Sequence, residues 1–325
     1  MNGKRIIIAG GTGFIGGAIA RELTSRGADV VILTRHPEAS PSIGRHVQWD
    51  GKTLGEWTPE VDGADAVINL AGKNVNCRYT PKALAEVDES RVSAVVAMNT
   101  AIAESKNPPR VLIQAATTAI YGDTGDRWLD ESTPPGYGVP PLTALKWEHA
   151  FATHPTPHTR RVTLRISFVL GRDGGALSTL SMLTKCFLGG AVGSGRQYIS
   201  WIHIDDLVSL VVRAIEDDAM SGIYNVATPN PVTNAEFMRA LRRAHGRPWS
   251  PPTPAPLVRL GCFVMRTEPV LALTGRRVLP KRLAEMRLVF RFPELAEALQ
   301  DILHEKPLSC RGTPRDLGVA TRHHS

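Results

Sequence analysis

The sequence predicts an α/β protein whose core is a doubly wound parallel sheet. The segments Arg5–Ala9 and Asp29–Leu33 are almost continuously apolar, as strands covered on both faces are. Between them, Phe14–Ser25 carries apolar residues at helical spacing and ends at Gly27. Strands that alternate with helices require right-handed crossovers, which build a parallel sheet with helices on both faces.

The same alternation continues along the chain. Further strands are predicted at Ala66–Leu70, Arg110–Ala115, Val162–Leu170 and Gly222–Val226, and further helices at Val87–Ala103, Pro140–Thr153, Asp205–Asp217, Asn234–His245 and Glu294–His304. Pro248–Pro256 holds five prolines in nine residues, so we expect an extended loop there. Residues 306–325 show no periodicity and are predicted to form a disordered tail.

Composition excludes several classes of function. The chain has 325 residues, with 42% hydrophobic and 21% charged residues, which is ordinary for a globular protein. Its cysteines, Cys77, Cys186, Cys262 and Cys310, are too far apart for a zinc or redox motif, so we expect no metal. No apolar run approaches the roughly 20 residues of a membrane helix, and no signal peptide is recognisable. We therefore expect a cytoplasmic protein with no membrane partner.

The net charge of +7 arises in the C-terminal part of the chain. From Arg239 onward there are 16 lysines and arginines but only 7 acidic residues. The basic residues are scattered and are not interleaved with aromatic ones, so we expect no nucleic-acid partner. The simpler interpretation is a solvated basic lobe, and the alternative is that the lobe attracts an anionic small-molecule substrate.

A glycine-rich loop joins the first predicted strand to the first predicted helix. Its sequence is Gly10-Gly11-Thr12-Gly13-Phe14-Ile15-Gly16. Glycines at these positions allow a tight turn and a close approach of backbone to phosphate, and free N–H groups at the helix start bind a pyrophosphate. The predicted cofactor-binding residues of this loop are Gly10, Thr12, Gly13, Phe14, Ile15 and Gly16.

The end of the second predicted strand indicates which dinucleotide binds. An NAD-binding unit places Asp or Glu there, to accept a hydrogen bond from the ribose 2′-hydroxyl. This chain has Thr34-Arg35 instead. A guanidinium suits a 2′-phosphate, which it can bind through two hydrogen bonds. We therefore predict NADP(H), with Thr34 and Arg35 in the ribose-phosphate pocket; the alternative is that Arg35 only caps the strand end in solvent.

Together with further segments, these motifs resemble the extended short-chain dehydrogenase/reductase superfamily. The matching segments are Gly10–Gly16, Asn69-Leu70-Ala71-Gly72, Thr117 with Tyr121-Gly122, Arg165–Gly175, Gly195–Leu207, Tyr224–Thr233, Gly275–Leu283 and Phe290–Leu299. More specifically, the chain resembles the atypical NAD(P)-dependent epimerase/dehydratase-like subfamily, which has a short C-terminal domain of its own. The resemblance covers about residues 4–303.

The resemblance implies a Rossmann domain that carries NADP(H) and a smaller C-terminal α/β lobe that closes over the substrate. The expected Rossmann domain comprises residues 1–170 and 205–228, and the expected substrate lobe comprises 171–204 and 229–305. Asn69, Leu70, Ala71 and Gly72 would then line the cofactor, and Thr117 would lie beside the nicotinamide. A homodimer through the helices Val87–Ala103 and Pro140–Thr153 is an expectation at the level of the family.

The tyrosine that transfers a proton in the wider superfamily is missing. There a Tyr-x-x-x-Lys pair shares one helical face, and the lysine lowers the tyrosine pKa. Here Lys146 has a plausible place, but Leu142 stands four residues before it and Tyr137 is nine residues away. The resemblance thus leaves Thr117, Tyr121 and Lys146 as catalytic candidates, with His203 and Glu131 as other possible acid/base groups.

Three interpretations follow from the missing tyrosine. In the first, another side chain supplies the proton. In the second, the substrate needs little proton transfer in addition to hydride transfer. In the third, the protein catalyses no reaction and is an NADP(H)-binding sensor or partner protein. For each acid/base candidate the alternative is a purely structural role. Tyr121 would only pack beside the ribose, His203 would be a hydrogen-bonded core histidine, and Glu131 would be a solvated helix cap.

The substrate-lining candidates lie in segments that the family uses for its cleft: Arg172, Arg196, Gln197, Trp201 and His203. Arg172 and Arg196 would suit an anionic group. Trp201 could stack on a ring or simply fill the interface between the lobes. The function expected from the sequence is an NADP(H)-dependent oxidoreductase or epimerase-like enzyme acting on a small carbonyl or hydroxyl substrate.

Overall fold

The computed structural model describes residues 1–39 and 43–304. The strands are β1 (Arg5–Ala9), β2 (Asp29–Thr34), β3 (Arg45–Gln48), β4 (Ala66–Asn69), β5 (Val111–Thr117), β6 (Trp128–Leu129), β7 (Arg160–Ile166), β8 (Phe168–Leu170), β9 (Tyr198–Ile199), β10 (Trp201–His203), β11 (Gly222–Val226), β12 (Val232–Thr233) and β13 (Arg277–Val278). The helices are α1 (Phe14–Ser25), α2 (Pro81–Glu104), α3 (Val139–Thr153), α4 (Ala176–Lys185), α5 (Ile204–Glu216), α6 (Asn234–Ala244), α7 (Ala255–Val264), α8 (Val270–Leu273), α9 (Lys281–Glu285) and α10 (Leu295–His304).

A seven-stranded parallel sheet forms the centre of the described structure, in the order β11-β7-β5-β4-β1-β2-β3. The chain starts in the middle with β1, winds outward through β2 to β3, and then returns through β4 to wind the other way. Ile7 of β1 lies opposite Val31 of β2 on one side and opposite Val67 of β4 on the other. The order changes direction between β1 and β4, and in such sheets ligands bind beyond the carboxyl ends of the strands at this point.

Alternate residues of the strands face two separate hydrophobic cores. Ile6 and Ile8 of β1 belong to the core that includes buried residues of α1 and α5, whereas Ile7 and Ala9 belong to the core beneath α2 and α3. Since both faces of β1 are buried, the strand is apolar throughout. The predicted doubly wound α/β fold is confirmed.

A third core lies among α4, α6 and α10, with Trp201, Phe237 and Leu299 fully buried in it. Two small sheets lie beside it, in which β8 pairs with β10 and β9 pairs with β12. These elements fall mostly within the expected substrate lobe. Strand β11, in contrast, pairs with β7 in the main sheet, and its residues belong to the segment 205–228 that was assigned to the Rossmann domain. The division into two domains stays a prediction, and residues 305–325, including the predicted tail, lie outside the described residues.

Several boundaries differ from the sequence prediction. Strand β3 was not predicted, because this edge strand contains a single apolar residue, Val47. Helix α2 begins earlier, at Pro81, where proline fits the first helical position and Thr80 caps the N-terminus. The predicted strand Val162–Leu170 is two strands, since the Ser167 amide bonds Val226 in the main sheet and the Phe168 amide bonds Ser200 outside it.

Four helices in the described C-terminal half were not predicted: α4, α7 and the short helices α8 and α9. Helix α4 is rich in serine and threonine, which lowers its helical signal. Helix α7 starts at Ala255, inside the stretch predicted as loop, because Pro256 is tolerated in the first helical turn. No helix in the described part of the chain is long and apolar enough to cross a membrane. Cys77, Cys186 and Cys262 are free thiols, and Cys310 is outside the described ranges.

Candidate functional site

The glycine-rich loop turns sharply between β1 and α1. Gly10 has φ +81°, a conformation that favours glycine, and its carbonyl accepts a 3.1 Å hydrogen bond from the Gly13 amide. A Cβ atom on Gly16 would lie 2.3 Å from the Gly10 carbonyl oxygen, so the helix can approach the strand only with glycine at this position. Gly13 caps α1 without a side chain, and no acidic residue occupies the first turn of this helix. The helix start is therefore open to an anion.

Neighbouring side chains of the loop hold it in place. The Phe14 ring packs against Gly171 and Gly174, where added Cβ atoms would lie 2.6 Å and 2.9 Å from it. Ile15 packs against the core beneath α1. Thr12 is exposed. The side chains of Phe14 and Ile15 thus fix the helix on the sheet, and the loop presents its backbone and Thr12 to a ligand.

The segment after β4 lies directly against this loop. A Cβ on Gly10 would meet the Leu70 carbonyl oxygen at 3.0 Å. Buried Asn69 donates to Gln114 Oε1 (3.0 Å), and its own Oδ1 accepts from the Ala71 amide (3.1 Å). Asn69 therefore shapes the turn Asn69–Gly72 at the end of β4, next to the phosphate loop.

Arg35 follows β2 at the carboxyl edge of the sheet. Its side chain is exposed, and no described residue forms an ion pair or a side-chain hydrogen bond with it. The Thr34 hydroxyl accepts a 3.3 Å hydrogen bond from the His36 amide. The guanidinium of Arg35 is available to a phosphate at the place where the ribose of a dinucleotide would lie.

Thr117 ends β5, the strand beyond β4 in the sheet order. Its Oγ1 accepts a 3.1 Å hydrogen bond from the Ala119 amide and so caps the short helical turn Thr118–Tyr121. Because that bond uses a lone pair, the hydroxyl proton can still be donated to a substrate oxygen.

Lys146 on α3 is engaged by a carboxylate on α2. Its Nζ pairs with Asp88 Oδ2, and Thr143 donates a 2.7 Å hydrogen bond to the other oxygen of Asp88. Leu142, one turn before Lys146, is 53% exposed and carries no proton. The structure thus places an aliphatic side chain where the superfamily has tyrosine, beside a lysine whose charge is already paired.

Tyr121 does not face a cleft. It is 1% exposed, and its hydroxyl lies 2.8 Å from Asn225 Oδ1 and 2.9 Å from the Asp130 carbonyl while it accepts a 2.9 Å hydrogen bond from Arg165. Burial raises its pKa, which keeps the phenol neutral. This placement favours the alternative in which Tyr121 only packs in the structure, and its catalytic role stays a prediction.

Glu131 is also structural, although it is not the solvated helix cap that was considered. Its Oε1 accepts a 3.0 Å hydrogen bond from the Asn225 amide on β11. Arg282 donates to the Ile223 carbonyl (2.7 Å) and the Ser221 carbonyl (2.9 Å) at the same strand. Together the two side chains satisfy backbone groups at the edge of the sheet, which protects that edge from pairing with another chain.

Three of the substrate-lining candidates are part of the packing. Trp201 is fully buried and donates from Nε1 to the Asn230 carbonyl (3.1 Å), as the interface-filling alternative requires. His203 is 1% exposed, accepts from the Asp205 amide at Nδ1, and places Nε2 3.3 Å from Asp301. Arg172 donates to the Ile302 carbonyl (2.9 Å) at the end of α10. These contacts favour structural roles for the three residues, and their substrate contacts stay a prediction.

The other two substrate-lining candidates, Gln197 and Arg196, differ in their contacts. Gln197 donates from Nε2 to the carbonyls of Val192 (2.9 Å) and Ala272 (3.1 Å), so its amide ties neighbouring segments together. Arg196 is exposed, and no contact of its guanidinium with another described residue is recorded by the structure. Of the predicted substrate residues, Arg196 alone keeps a free charged group within the described ranges, and its role stays a prediction.

Sequence reasoning missed two arginines near this site. Arg91 on α2 donates from Nη1 to the carbonyls of Lys73 (2.9 Å) and Val87 (3.1 Å), and its guanidinium lies over the Trp147 ring, 5.0 Å from the centroid. Arg276 is half-buried, and its guanidinium makes no hydrogen bond or ion pair with the described residues. Arg276 lies in the segment Gly275–Leu283, which served in the sequence analysis only as evidence for the family resemblance. No group of three potential metal ligands occurs in residues 1–39 and 43–304.

Comparison with known proteins identifies relatives along almost the whole chain. The NAD dependent epimerase/dehydratase family matches residues 6–227, and a domain of unknown function, DUF1731, matches residues 253–302. The epimerase family protein SDR39U1 of Bos taurus is 35% identical over 304 residues, which are 92% of this chain and 99% of that protein. The epimerase family protein SSP1921 of Staphylococcus saprophyticus is 33% identical over 308 residues, 93% of this chain and 100% of that protein.

A solved structure is similar over the same length. The crystal structure of human epimerase family protein SDR39U1 (isoform 2) with NADPH superimposes with a TM-score of 0.82 at 32% identity. The match covers 92% of this chain and 99% of the human one. Family, C-terminal domain and fold therefore agree with those expected from the sequence.

Proposed function

Because this chain belongs to the NAD dependent epimerase/dehydratase family, we propose that it binds NADP(H) and acts as an oxidoreductase or epimerase-like enzyme on a small carbonyl or hydroxyl substrate. The observation that carries the proposal is the open phosphate loop, in which Gly16 lies against Gly10 and α1 begins without an acidic residue. Such a helix start binds a pyrophosphate through backbone N–H groups.

The choice of NADP(H) over NAD(H) is supported by Arg35. An exposed guanidinium at the end of β2 can donate to a 2′-phosphate, whereas an NAD-binding site needs an acceptor there. The relative crystallised with NADPH is similar to this chain over 92% of its length, which is in line with the same cofactor. Asn69–Gly72 at the end of β4 would line the cofactor between the phosphate loop and Thr117.

The chemistry proposed for the site is hydride transfer, which NADP(H) supplies or accepts when bound. Thr117 at the end of β5 would orient the substrate by donating its hydroxyl proton to a substrate oxygen. Lys146 fixes α3 on α2 through the Asp88 carboxylate. These side chains position the substrate and supply one hydrogen bond to its oxygen.

Proton transfer by a protein side chain would contribute little in this scheme. Leu142 replaces the superfamily tyrosine, and Tyr121 and His203 are buried in hydrogen-bonded or ion-paired positions. We therefore favour a substrate that needs little acid/base catalysis in addition to hydride transfer. A homodimer through α2 and α3 is part of the proposal as well, since the family expectation places the contact there.

A non-catalytic NADP(H) sensor is the second candidate, and the paired Lys146 beside aliphatic Leu142 favours it. Purified protein should be incubated with NADPH and a panel of aldehydes and ketones, and the loss of NADPH absorbance followed. Oxidation above the rate without protein supports the enzyme. Tight NADPH binding without turnover on any member of the panel, or in the reverse direction with NADP⁺ and the matching alcohols, supports the sensor.

A further inference from the structure

Apolar side chains are exposed where the chain leaves α4 and where it leaves α6. Phe187 is 51% exposed and Leu188 is 58% exposed, just after the end of α4. Trp249 is 66% exposed and lies between α6 and α7. Isolated exposed apolar residues are ordinary on a protein surface, but neighbouring ones mark a surface for interaction. The contacts between the two segments decide whether these three residues form one surface.

The two segments contact each other on both sides of Trp249. Before it, the Arg247 guanidinium lies over the Phe187 ring, 4.4 Å from the centroid. After it, the chain passes so close to Gly190 that a Cβ atom on this glycine would lie 2.9 Å from the Pro252 Cα. The exposed side chains and the cations between them therefore form one surface. We call it the cationic–aromatic patch, and its members are Lys185, Phe187, Leu188, Arg247 and Trp249.

The cations of this surface lack acidic partners within the described structure. In residues 1–39 and 43–304, Lys185, Arg242 and Arg247 form no ion pair. Burial lowers the pKa of the neighbouring His245, and the positive charges of Lys185, His304 and Arg247 lower it further. Because like charges at this range repel one another, an anionic partner would stabilise the surface.

The cationic–aromatic patch lies away from the proposed cofactor site. Gly175 at the start of α4 contacts the phosphate loop, since a Cβ atom on it would lie 3.3 Å from the Phe14 ring. Helix α4 comprises 10 residues, and at about 1.5 Å per residue it carries the chain about 15 Å from that loop. Lys185 ends the helix, and Phe187 and Leu188 follow it. The patch is therefore a second surface that NADP(H) would leave open.

We propose that the cationic–aromatic patch binds an acidic segment of a partner protein. Carboxylates of that segment would pair with the Lys185 ammonium and with the Arg247 guanidinium, which offers paired N–H donors. Apolar side chains of the same segment would cover Phe187, Leu188 and Trp249, since aromatic residues beside arginine are typical of the tightly bound centre of an interface. The inference goes beyond the proposed function and does not depend on it, because the surface is open to a partner in an enzyme and in a sensor alike.

Three other occupants fit this surface less well. Residues 306–325 of the chain itself include four lysines and arginines but one acidic residue, so their net charge has the same sign as the patch. Single-stranded nucleic acid stacks its bases on several uncovered aromatic rings, whereas Arg247 already covers one face of Phe187. A membrane-surface helix presents a continuous apolar face, whereas Phe187, Leu188 and Trp249 lie outside the helices.

The test is fluorescence anisotropy of the full chain with a labelled peptide that repeats aspartate, aspartate and leucine. We expect saturable binding of this peptide, and no binding of the matched peptide that has lysine in place of aspartate. K185E/R247Q should weaken the binding by about tenfold or more, because the carboxylates lose both cations. R127Q/R259E makes the same change in net charge at two exposed arginines outside the patch and should leave the affinity unchanged.

W249S tests the apolar part of the patch separately. Because Trp249 is exposed, the melting temperature should not change, while the affinity for the acidic peptide should fall about threefold or more. Unchanged affinity in W249S, or equal losses in the two double variants, contradicts the inference, because net charge alone then explains the binding.

The inference also fails if the acidic peptide does not bind, or if the lysine peptide binds as tightly. Phosphatidylglycerol vesicles and a single-stranded oligonucleotide are titrated in parallel. If either of them binds the parent protein and the acidic peptide does not, the occupant of the patch is a membrane or a nucleic acid, and the inference is overturned.

Discussion

Arg165 donates a 2.9 Å hydrogen bond from Nη1 to the hydroxyl oxygen of Tyr121, and both side chains are buried. The other edge of the guanidinium binds Glu148 through two hydrogen bonds of 2.8 and 2.7 Å. Burial alone would lower the pKa of Arg165, but the Glu148 carboxylate raises it above its usual value. This network joins β7, α3 and the turn after β5, so Tyr121 stabilises the fold behind the site.

The first prediction concerns this network. Y121F leaves Arg165 and Asn225 each without one partner, and we expect a loss of about 1–3 kcal/mol in the free energy of unfolding. Urea denaturation measures it, and NADPH binding at a temperature where the variant is folded should be unchanged. Y137F alters a 98% exposed tyrosine and serves as the control. Unchanged stability with abolished turnover would instead support a catalytic role for Tyr121.

The second prediction concerns the phosphate loop. G16A would place a Cβ 2.3 Å from the Gly10 carbonyl oxygen, so the loop must open and we expect NADPH affinity to fall at least tenfold. G17A is the matched control, because its Cβ would lie 3.6 Å from the nearest atom, an ordinary contact. Calorimetry with NADPH on both variants measures the difference. Equal affinities would show that this turn is not the cofactor site.

A structural feature of this protein was predictable from the sequence when residues close together in the chain determine it. The phosphate loop was predictable because the spacing of Gly10, Gly13 and Gly16 within one strand–helix turn encodes it. The sheet was predictable because buried parallel strands are apolar throughout. The edge strand β3 was not predictable. It is only partly buried and so lacks the apolar pattern of a central strand, and its ends are defined only by its pairing with β2.

The candidate site was less predictable because burial is set by distant parts of the chain. His203 resembles an acid/base group until Asp301 and Phe292, about a hundred residues later, enclose it. Arg276 resembles any surface arginine until the segment containing it folds against Tyr198 and Asp123. Residue type alone gives no measure of such tertiary contacts.

The third prediction addresses Thr117. T117V removes the hydroxyl that would orient the substrate, and we expect turnover on an active carbonyl substrate to fall by about 100-fold, within the usual range for a positioned hydrogen-bonding group. T117S keeps the hydroxyl and should retain most of the rate. NADPH affinity should be the same in both. A T117V variant as active as T117S would remove Thr117 from the mechanism.

The fourth prediction concerns the ionisation of Tyr79. Because burial raises its pKa to about 12, the phenol should stay protonated between pH 7 and about 10. Over this range the ultraviolet absorbance of tyrosinate should not differ between the parent protein and Y79F. A difference spectrum that rises near pH 8 would mean that Arg91 and Arg276 outweigh burial.

The central claim is that NADP(H) binds across the phosphate loop with Arg35 on its 2′-phosphate. Calorimetry with NADPH and NADH on the parent protein and on R35D tests it most directly. We expect tighter binding of NADPH by the parent, and a loss of about 1.5–3 kcal/mol for NADPH in R35D, that is about 10- to 100-fold, with little change for NADH. No heat with either nucleotide, or an equal loss for both in R35D, would contradict the claim.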